Sequence, residues 1–255
     1  MIWFVGAGPG APDLITVRGM ELLKKADVII YAGSLVNPEL LKYASDRAEI
    51  YNSAVMTLEE VTSVMIKEDR AGRRVVRLHT GEPSIYGAVR EQMDILDEAK
   101  ISYCSGPGVS ACFGAAAGMN LEYTLPDVTQ TLVITRLEGR TKVPEQESIE
   151  LLAQHKASMA IYLSASMTDR LSDELQKGGY PADTPAAIVY RATWDDEKTV
   201  LCTVGNLAEA AHAEGIDRTA VVLVGEAIRH NRYDRSRLYD PSFTTGFRKA
   251  SEEPS

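Results

Sequence analysis

The chain has 255 residues, 45% of them hydrophobic and 25% charged, and carries a formal net charge of −9 at pH 7. This composition suits one large or two modest soluble domains, and the acidic balance argues against a nucleic-acid partner, which would need a basic face. The apolar runs are strand-sized, too short for a transmembrane helix, and Met1-Ile2-Trp3-Phe4 lacks the basic region of a signal peptide. The expectation is a cytoplasmic protein without a membrane partner. Cys104, Cys112 and Cys202 are scattered and odd in number, and the four histidines do not cluster. That pattern suits a reducing compartment and offers no metal-ligand spacing, so no protein-bound metal is expected.

In chain order, the apolar run Ile2-Trp3-Phe4-Val5 leads into Gly6-Ala7-Gly8-Pro9-Gly10. A strand followed by a glycine-rich loop usually marks a nucleotide-type ligand at the end of a parallel sheet. Pro9 and Pro12, however, have no backbone N–H, and a pyrophosphate loop works through such groups. The loop therefore reads as one that admits a ligand without phosphates close to the backbone. Asp27–Tyr31 and Arg74–Leu78 read as buried strands. Between them, Asn37-Pro38 marks a helix start, and Thr57 with Glu60 forms a capping box ahead of Leu58, Val61, Val64 and Met65 on one helical face. Strands alternating with helices imply a parallel, doubly wound sheet.

The pattern breaks near Leu125-Pro126-Asp127. A second series of strands follows at 131–135, 159–163, 186–190, 199–203 and 220–224. Runs 186–190 and 199–203, joined by a short polar loop, read as a hairpin, so a mixed sheet is expected, and Asn206 with Glu209 reads as a helix cap. The tail gathers Arg229, His230, Arg232, Arg235 and Arg237 with Tyr233 and Tyr239, and ends Ser-Glu-Glu-Pro-Ser. It reads as a solvated, partly disordered extension. The expected organisation is α/β: a mostly parallel N-terminal domain over 1–124, a mixed-sheet α/β domain over 125–228, and a flexible extension over 229–255.

In an open parallel sheet, ligands gather beyond the C-terminal strand ends. Three glycine loops fall there: Gly8-Pro9-Gly10, His79-Thr80-Gly81-Glu82-Pro83, and Gly106-Pro107-Gly108-Val109-Ser110-Ala111, which runs on into Gly114-Ala115-Ala116-Ala117-Gly118. Together they point to a ligand cleft. Glu82 is open to two readings, as an acceptor for a ligand amine or hydroxyl or as a cap for a helix beginning near Ser84. His79 is either a group that titrates beside an anion or a strand-end residue bonded to backbone. Arg136 and Arg140 flank a loop suited to carboxylates, or pair with Glu138 or Glu145. Arg191 binds an anion or stacks on Trp194. No nucleophile–base pair emerges, which fits chemistry carried by a bound cofactor.

The run Val5-Gly-Ala-Gly-Pro-Gly-Ala-Pro-Asp13-Leu-Ile-Thr16, then Gly19 and Ala26-Asp27-Val28, resembles the first signature of the tetrapyrrole methylases. Val76–Pro83 and Gly106–Ala111 resemble the second and third. The resemblance runs from residue 1 to about 228. Within that family, Leu125–Thr131, Thr135–Thr141 and Ala192–Glu197 resemble the group acting at C-11 of precorrin-4 or its cobalt form, in cobalamin synthesis, rather than the uroporphyrinogen or precorrin-2 enzymes. The resemblance implies a homodimer of two-domain chains, S-adenosylmethionine as methyl donor, and an open trough for a tetrapyrrole. Carried over, donor contacts fall on Pro9, Thr80, Gly81, Glu82, Ile85, Ser110, Ala111, Leu163 and Ala192. Cationic partners for the macrocycle's carboxylates fall on Arg136, Arg140 and His79, with Arg191 and Lys142 behind them.

The chain departs from the family pattern at Gly33, at Asn52 and Ser53, and at Glu82. Gly33 stands where some members carry an acid, Asn52 and Ser53 where the uroporphyrinogen enzymes use a lysine, and Glu82 where Gly-Asp-Pro is usual. The expected reaction is in-line attack of a ring carbon on a sulfonium methyl group, catalysed mainly by orientation, with no side chain assigned as base. Rival readings are another position-specific methylase, a nicotinamide oxidoreductase and a non-catalytic tetrapyrrole binder. The oxidoreductase lacks the last glycine of its fingerprint and the acid after the second strand.

Overall fold

Short apolar strands alternating with amphipathic helices form two five-stranded sheets in the computed structural model, which describes residues 1–229 and 233–251. His230, Arg232 and residues 252–255 of the tail lie outside the described residues. The chain divides into two units, Met1–Gly118 with Arg191–Lys198, and Met119–Tyr190 with Thr199–Ser255.

In chain order the first unit contains β1 (Ile2–Gly6), α1 (Val17–Lys25), β2 (Val28–Tyr31), β3 (Glu49–Asn52), α2 (Leu58–Arg70), β4 (Val75–His79), α3 (Arg90–Glu98), β5 (Tyr103–Gly106) and α4 (Ala111–Gly118). The strand order is β3-β2-β4-β1-β5, and every pairing is parallel. Side chains alternate across such a sheet, and each face gains its own core. Val5, Ile29, Val76 and Leu78 pack with Leu23 of α1 and Leu40 on one face. Ile2, Phe4, Val28, Ile30 and Val75 pack with Val61 and Met65 of α2 and Leu96 of α3 on the other. This is the doubly wound arrangement that the alternation implies.

The second unit adds β6 (Leu132–Arg136), α5 (Ile149–Ala153), β7 (Ser158–Tyr162), α6 (Thr168–Lys177), β8 (Pro185–Tyr190), β9 (Lys198–Thr203), α7 (Leu207–Ala213) and β10 (Ala220–Val224). Its order is β6-β7-β10-β8-β9. The sheet is mixed, because β6 and β7 run parallel while β10 runs antiparallel to both β7 and β8. Helices α5, α6 and α7 bury Ile149, Leu171, Leu175 and Leu207 against Met159, Ile161, Ile188 and Val222.

Local signals fared unevenly. Thr57 caps α2 as the sequence implies: its Oγ1 accepts from Glu60 N at 3.2 Å, while Glu60 Oε2 accepts from Thr57 N at 2.8 Å. Asn37 accepts from Glu39 N, but the turn it starts is a 3-10 helix, Pro38–Tyr43. Asn206 does not cap α7. Its Oδ1 accepts instead from the backbone and hydroxyl of Thr203, at 2.7 and 3.0 Å. Strands β3 and β5 are not delimited by the sequence pattern, although the third glycine loop is expected at a strand end. Both are sheet edges, largely half-buried or exposed, and so lack the continuous apolar run that marks an interior strand.

Replacing Thr57 by Ala removes one half of the reciprocal cap, and the expected loss is about 1 kcal/mol of unfolding free energy in a denaturant titration. An unchanged midpoint would show that α2 is held by its packed face alone.

Candidate functional site

The parallel register brings three loops to one rim. Gly6 stands opposite His79 and Val5 opposite both Leu78 and Gly106, so β4, β1 and β5 end level with one another. The chains then approach more closely than side chains allow. A Cβ on Gly6 would fall 2.5 Å from Gly108 Cα and 2.6 Å from Gly81 O, and one on Gly108 would fall 2.0 Å from Gly81 O. Gly8 and Gly81 form an isolated bridge, with Gly81 N donating to Gly8 O at 2.9 Å. Only glycine fits here, because three backbones share the space that one Cβ would fill.

The hydrogen bonds at this junction set its chemistry. Ala7 N donates to His79 O at 2.7 Å, Gly8 N to Gly81 O at 3.4 Å, and Ala11 N to Thr193 Oγ1 at 2.9 Å. Pro9 and Pro12 have no N–H. Of the donors a phosphate cradle would use, those of Ala7, Gly8 and Ala11 are therefore engaged and those of residues 9 and 12 are missing. In the next loop Glu82 Oε2 accepts from Gly108 N at 2.8 Å and Oε1 from Ser84 N at 3.0 Å. The carboxylate thus ties the second loop to the third. No helix begins at Ser84; the chain turns there, and α3 starts at Arg90.

The segment Arg191–Lys198 completes the rim. Trp194 covers Gly10, where a Cβ would lie 2.2 Å from the indole Cδ1 and 2.8 Å from Ala192 O. Arg191 stacks on that indole at 4.0 Å and pairs with Asp196 Oδ1 at 2.7 Å. A Cβ on Gly114 of α4 would fall 2.9 Å from both Pro9 Cβ and Thr193 Cγ2. Thr193 has φ +68°. For a β-branched residue that conformation costs about 1–3 kcal/mol and persists only where the surroundings enforce it.

These contacts bring together Pro9, Gly81, Glu82, Ser110, Ala111 and Ala192, all in the first unit: a Cβ on Gly81 would lie 3.7 Å from Ser110 Cα and 3.9 Å from Ala111 N. Thr80 follows His79 directly, and Ile85 N donates to Glu82 O at 3.1 Å. Leu163 belongs to the second unit, where it follows β7, 64% exposed at φ +54°.

The positions expected to bind anions divide. His79 is buried, with its ring against Phe4, and its Nε2 has no hydrogen-bond partner among the described residues. Burial, aided by the neighbouring charge of Arg77, pushes its pKa down to about 3. A neutral imidazole is no cationic partner for a carboxylate, which corrects that expectation. Arg77 is itself buried, donating to Gln92 Oε1 at 3.1 Å and Ile30 O at 3.2 Å, and burial pushes its pKa down to about 10. Arg136, in the second unit, folds back onto its own loop, donating to Thr141 O at 3.1 Å and Lys142 O at 2.7 Å. Arg140 and Lys142 on that loop are exposed. Arg191 is engaged by Trp194 and Asp196. Finally, Gly33 and Asn52, two of the departures from the family pattern, lie side by side: a Cβ on Gly33 would fall 2.1 Å from Asn52 Oδ1.

The sequence reading did not assign roles to Gly6, Thr193 or Glu197. The last two carry a faint signal, a hydroxyl and an acid four residues apart in a polar loop.

Residues 1–208 match the family of Tetrapyrrole (Corrin/Porphyrin) Methylases. A Methanocaldococcus jannaschii protein named cobalt-precorrin-4 C(11)-methyltransferase is 52% identical over 98% of this chain and 96% of its own. The X-ray structure of a cobalt precorrin-4 methyltransferase from cobalamin biosynthesis superposes with a TM-score of 0.87 at 45% identity, covering 89% of this chain and 95% of the other. A Thermus thermophilus uroporphyrin-III C-methyl transferase, complexed with S-adenosyl homocysteine, shares the fold at 23% identity and a TM-score of 0.74, with 90% and 99% coverage.

Two outcomes follow from the geometry. Gly108→Ala drives a Cβ into Gly81 O, and the expected loss is about 3 kcal/mol of stability by chemical denaturation, at the upper end for overpacking; a variant as stable as wild type would show that the junction relaxes freely. For His79, the unfolded imidazole binds a proton below its ordinary pKa of 6.5 while the folded one resists protonation down to about 3. Stability therefore falls as pH drops through that window, by about 2 kcal/mol at pH 5. Denaturation at pH 7 and pH 5 should show this loss in wild type and a smaller one in His79→Gln; equal losses would place the acid sensitivity elsewhere.

Proposed function

Because the chain belongs to the tetrapyrrole (corrin/porphyrin) methylase family and is a methyltransferase, we propose that it transfers a methyl group from S-adenosylmethionine to C-11 of precorrin-4 or its cobalt form, in cobalamin biosynthesis. One observation carries the reading of the donor site: the loops after β1, β4 and β5 converge with the N–H groups of Ala7, Gly8, Ala11, Gly81 and Gly108 engaged, none on Pro9 or Pro12, and a carboxylate, Glu82, at their junction. A diphosphate would find few donors and a like charge there. A nucleoside bearing a sulfonium finds a close-approaching backbone and an opposite charge. The same features weigh against a nicotinamide cofactor.

The donor supplies an already electrophilic methyl group, so the chain's own residues act by placement. In the first unit, Pro9 and Gly81 present bare backbone, while Thr80, Ile85, Ser110, Ala111 and Ala192 line the surrounding loops. Glu82 holds the second loop against the third. Leu163 remains a further donor contact by family resemblance. No side chain is assigned as base. For the macrocycle, exposed Arg140 and Lys142 are the direct carboxylate partners, and Arg136 shapes the loop that carries them. Arg191 has a lesser part, since its charge is already paired.

We assign the protein to the cytoplasm and to a homodimer. Its three cysteines are free, in accord with a reducing compartment, and among the described residues no helix is long and apolar enough to cross a membrane. Light scattering of the purified protein tests the dimer.

Incubation with 13C-methyl S-adenosylmethionine and precorrin-4, with and without cobalt, should place the labelled carbon on C-11 by NMR. Label at another carbon would contradict the regiochemistry, and no transfer would contradict the activity. Arg136→Ala should raise KM for the macrocycle about tenfold, from loss of two carbonyl contacts that order the loop, and leave KM for the donor unchanged. The reverse pattern would move this loop to the donor.

A further inference from the structure

We infer that Thr193 is a positioning residue for the methyl donor: its hydroxyl fixes the bend at Pro9–Ala11, and Glu197 holds Thr193 where it can do so. The inference rests on the reading of that bend as part of the donor site.

The bend has few means of holding its own shape. Pro9 and Pro12 contribute no N–H, which leaves those of Gly10 and Ala11 between them, and the partner of Ala11 N is Thr193 Oγ1 at 2.9 Å. On the opposite side Asn37 Nδ2 donates to Gly10 O at 3.0 Å. The bend is thus pinned by two side chains acting on two consecutive residues. Thr193 also stands immediately after Ala192, whose carbonyl packs on Gly10. One residue therefore fixes the distance between two proposed donor contacts, Pro9 and Ala192.

Local preference alone would not put threonine here. At φ +68° glycine or asparagine would sit with less strain. Glycine has no hydroxyl to offer, and the amide of asparagine reaches one bond further. The β-hydroxyl is what this backbone position gains in exchange for strain. Several neighbours keep the strained residue in place. Thr193 N donates to Glu197 Oε2, and Glu197 lies against the last residue of α4, where a Cβ on Gly118 would fall 2.8 Å from its Oε1. Trp194 N donates to Arg191 O at 2.9 Å and Glu197 N to Trp194 O at 3.0 Å, closing two successive turns. The segment holds its own shape and presents one hydroxyl to the bend.

The test uses the full-length protein and S-adenosylhomocysteine binding by calorimetry, alongside steady-state kinetics. Thr193→Val keeps the branched shape and removes the acceptor. We expect about tenfold weaker binding and a tenfold higher donor KM, with kcat and the macrocycle KM within twofold of wild type. Thr193→Ser, which keeps the hydroxyl, should restore most of the affinity. Glu197→Ala should weaken donor binding in the same direction, and it decides the matter if Thr193→Val does not fold. Unchanged donor affinity in Thr193→Val or in Glu197→Ala overturns the inference. So does a Thr193→Ser variant as weak as Thr193→Val, or a uniform fall in kcat and both affinities together with melting temperature. Failure of the wild-type protein to bind S-adenosylhomocysteine would instead contradict the donor-site reading.

Discussion

Three backbones meet where one side chain would fill the space, and that constraint governs the first unit. Gly6, Gly81 and Gly108 are forced together because β4, β1 and β5 end level in a parallel register, so the loops that leave them begin in contact. A parallel sheet with both faces covered leaves its C-terminal rim as the natural place for a ligand. Here the rim is shaped by glycine and closed by hydrogen bonds between the loops themselves. The rim is therefore largely formed by the fold, and Glu82 places one carboxylate at its junction.

That arrangement accounts for the kind of chemistry proposed. A methyl group on a sulfonium needs no activated nucleophile and no metal from the protein; it needs two reactants held in line. The polar groups near the rim act on one another accordingly. Glu82 joins two loops, Thr193 pins a third, and Arg191, Trp194 and Asp196 lock the segment that carries Thr193. Arg77 and His79 are buried in the sheet, and desolvation keeps the imidazole uncharged. On the second unit Arg136 ties its own loop through carbonyls, and Arg140 and Lys142 on that loop are exposed.

Much of this was readable from the residues. The alternation of apolar runs with capped helices gave the doubly wound sheet, and the run at 199–203 beside 186–190 gave neighbouring strands in a mixed sheet. Pro9 and Pro12, which lack an N–H, mark in the sequence a loop with few donors for a phosphate. The bounds of edge strands β3 and β5 are not legible in the sequence because half-exposed strands carry polar residues such as Glu49, Asn52 and Ser105, and so lose the periodicity that marks a strand. Long-range pairings were equally hidden. Nothing local says that Glu82 will accept from Gly108 N rather than cap a helix, or that His79 will be buried and its imidazole kept neutral. These outcomes depend on partners tens of residues away or on burial, which a local pattern does not encode.

The most direct measurement is a paired calorimetric titration of the purified protein with S-adenosylhomocysteine and with NADH. A rim where Ala7, Gly8, Ala11, Gly81 and Gly108 N are engaged, with Glu82 at its junction, should bind the sulfur nucleoside saturably at one site per chain and leave the dinucleotide unbound. Saturable binding of NADH, or none of S-adenosylhomocysteine, would contradict the claim that the glycine junction is built to exclude phosphate.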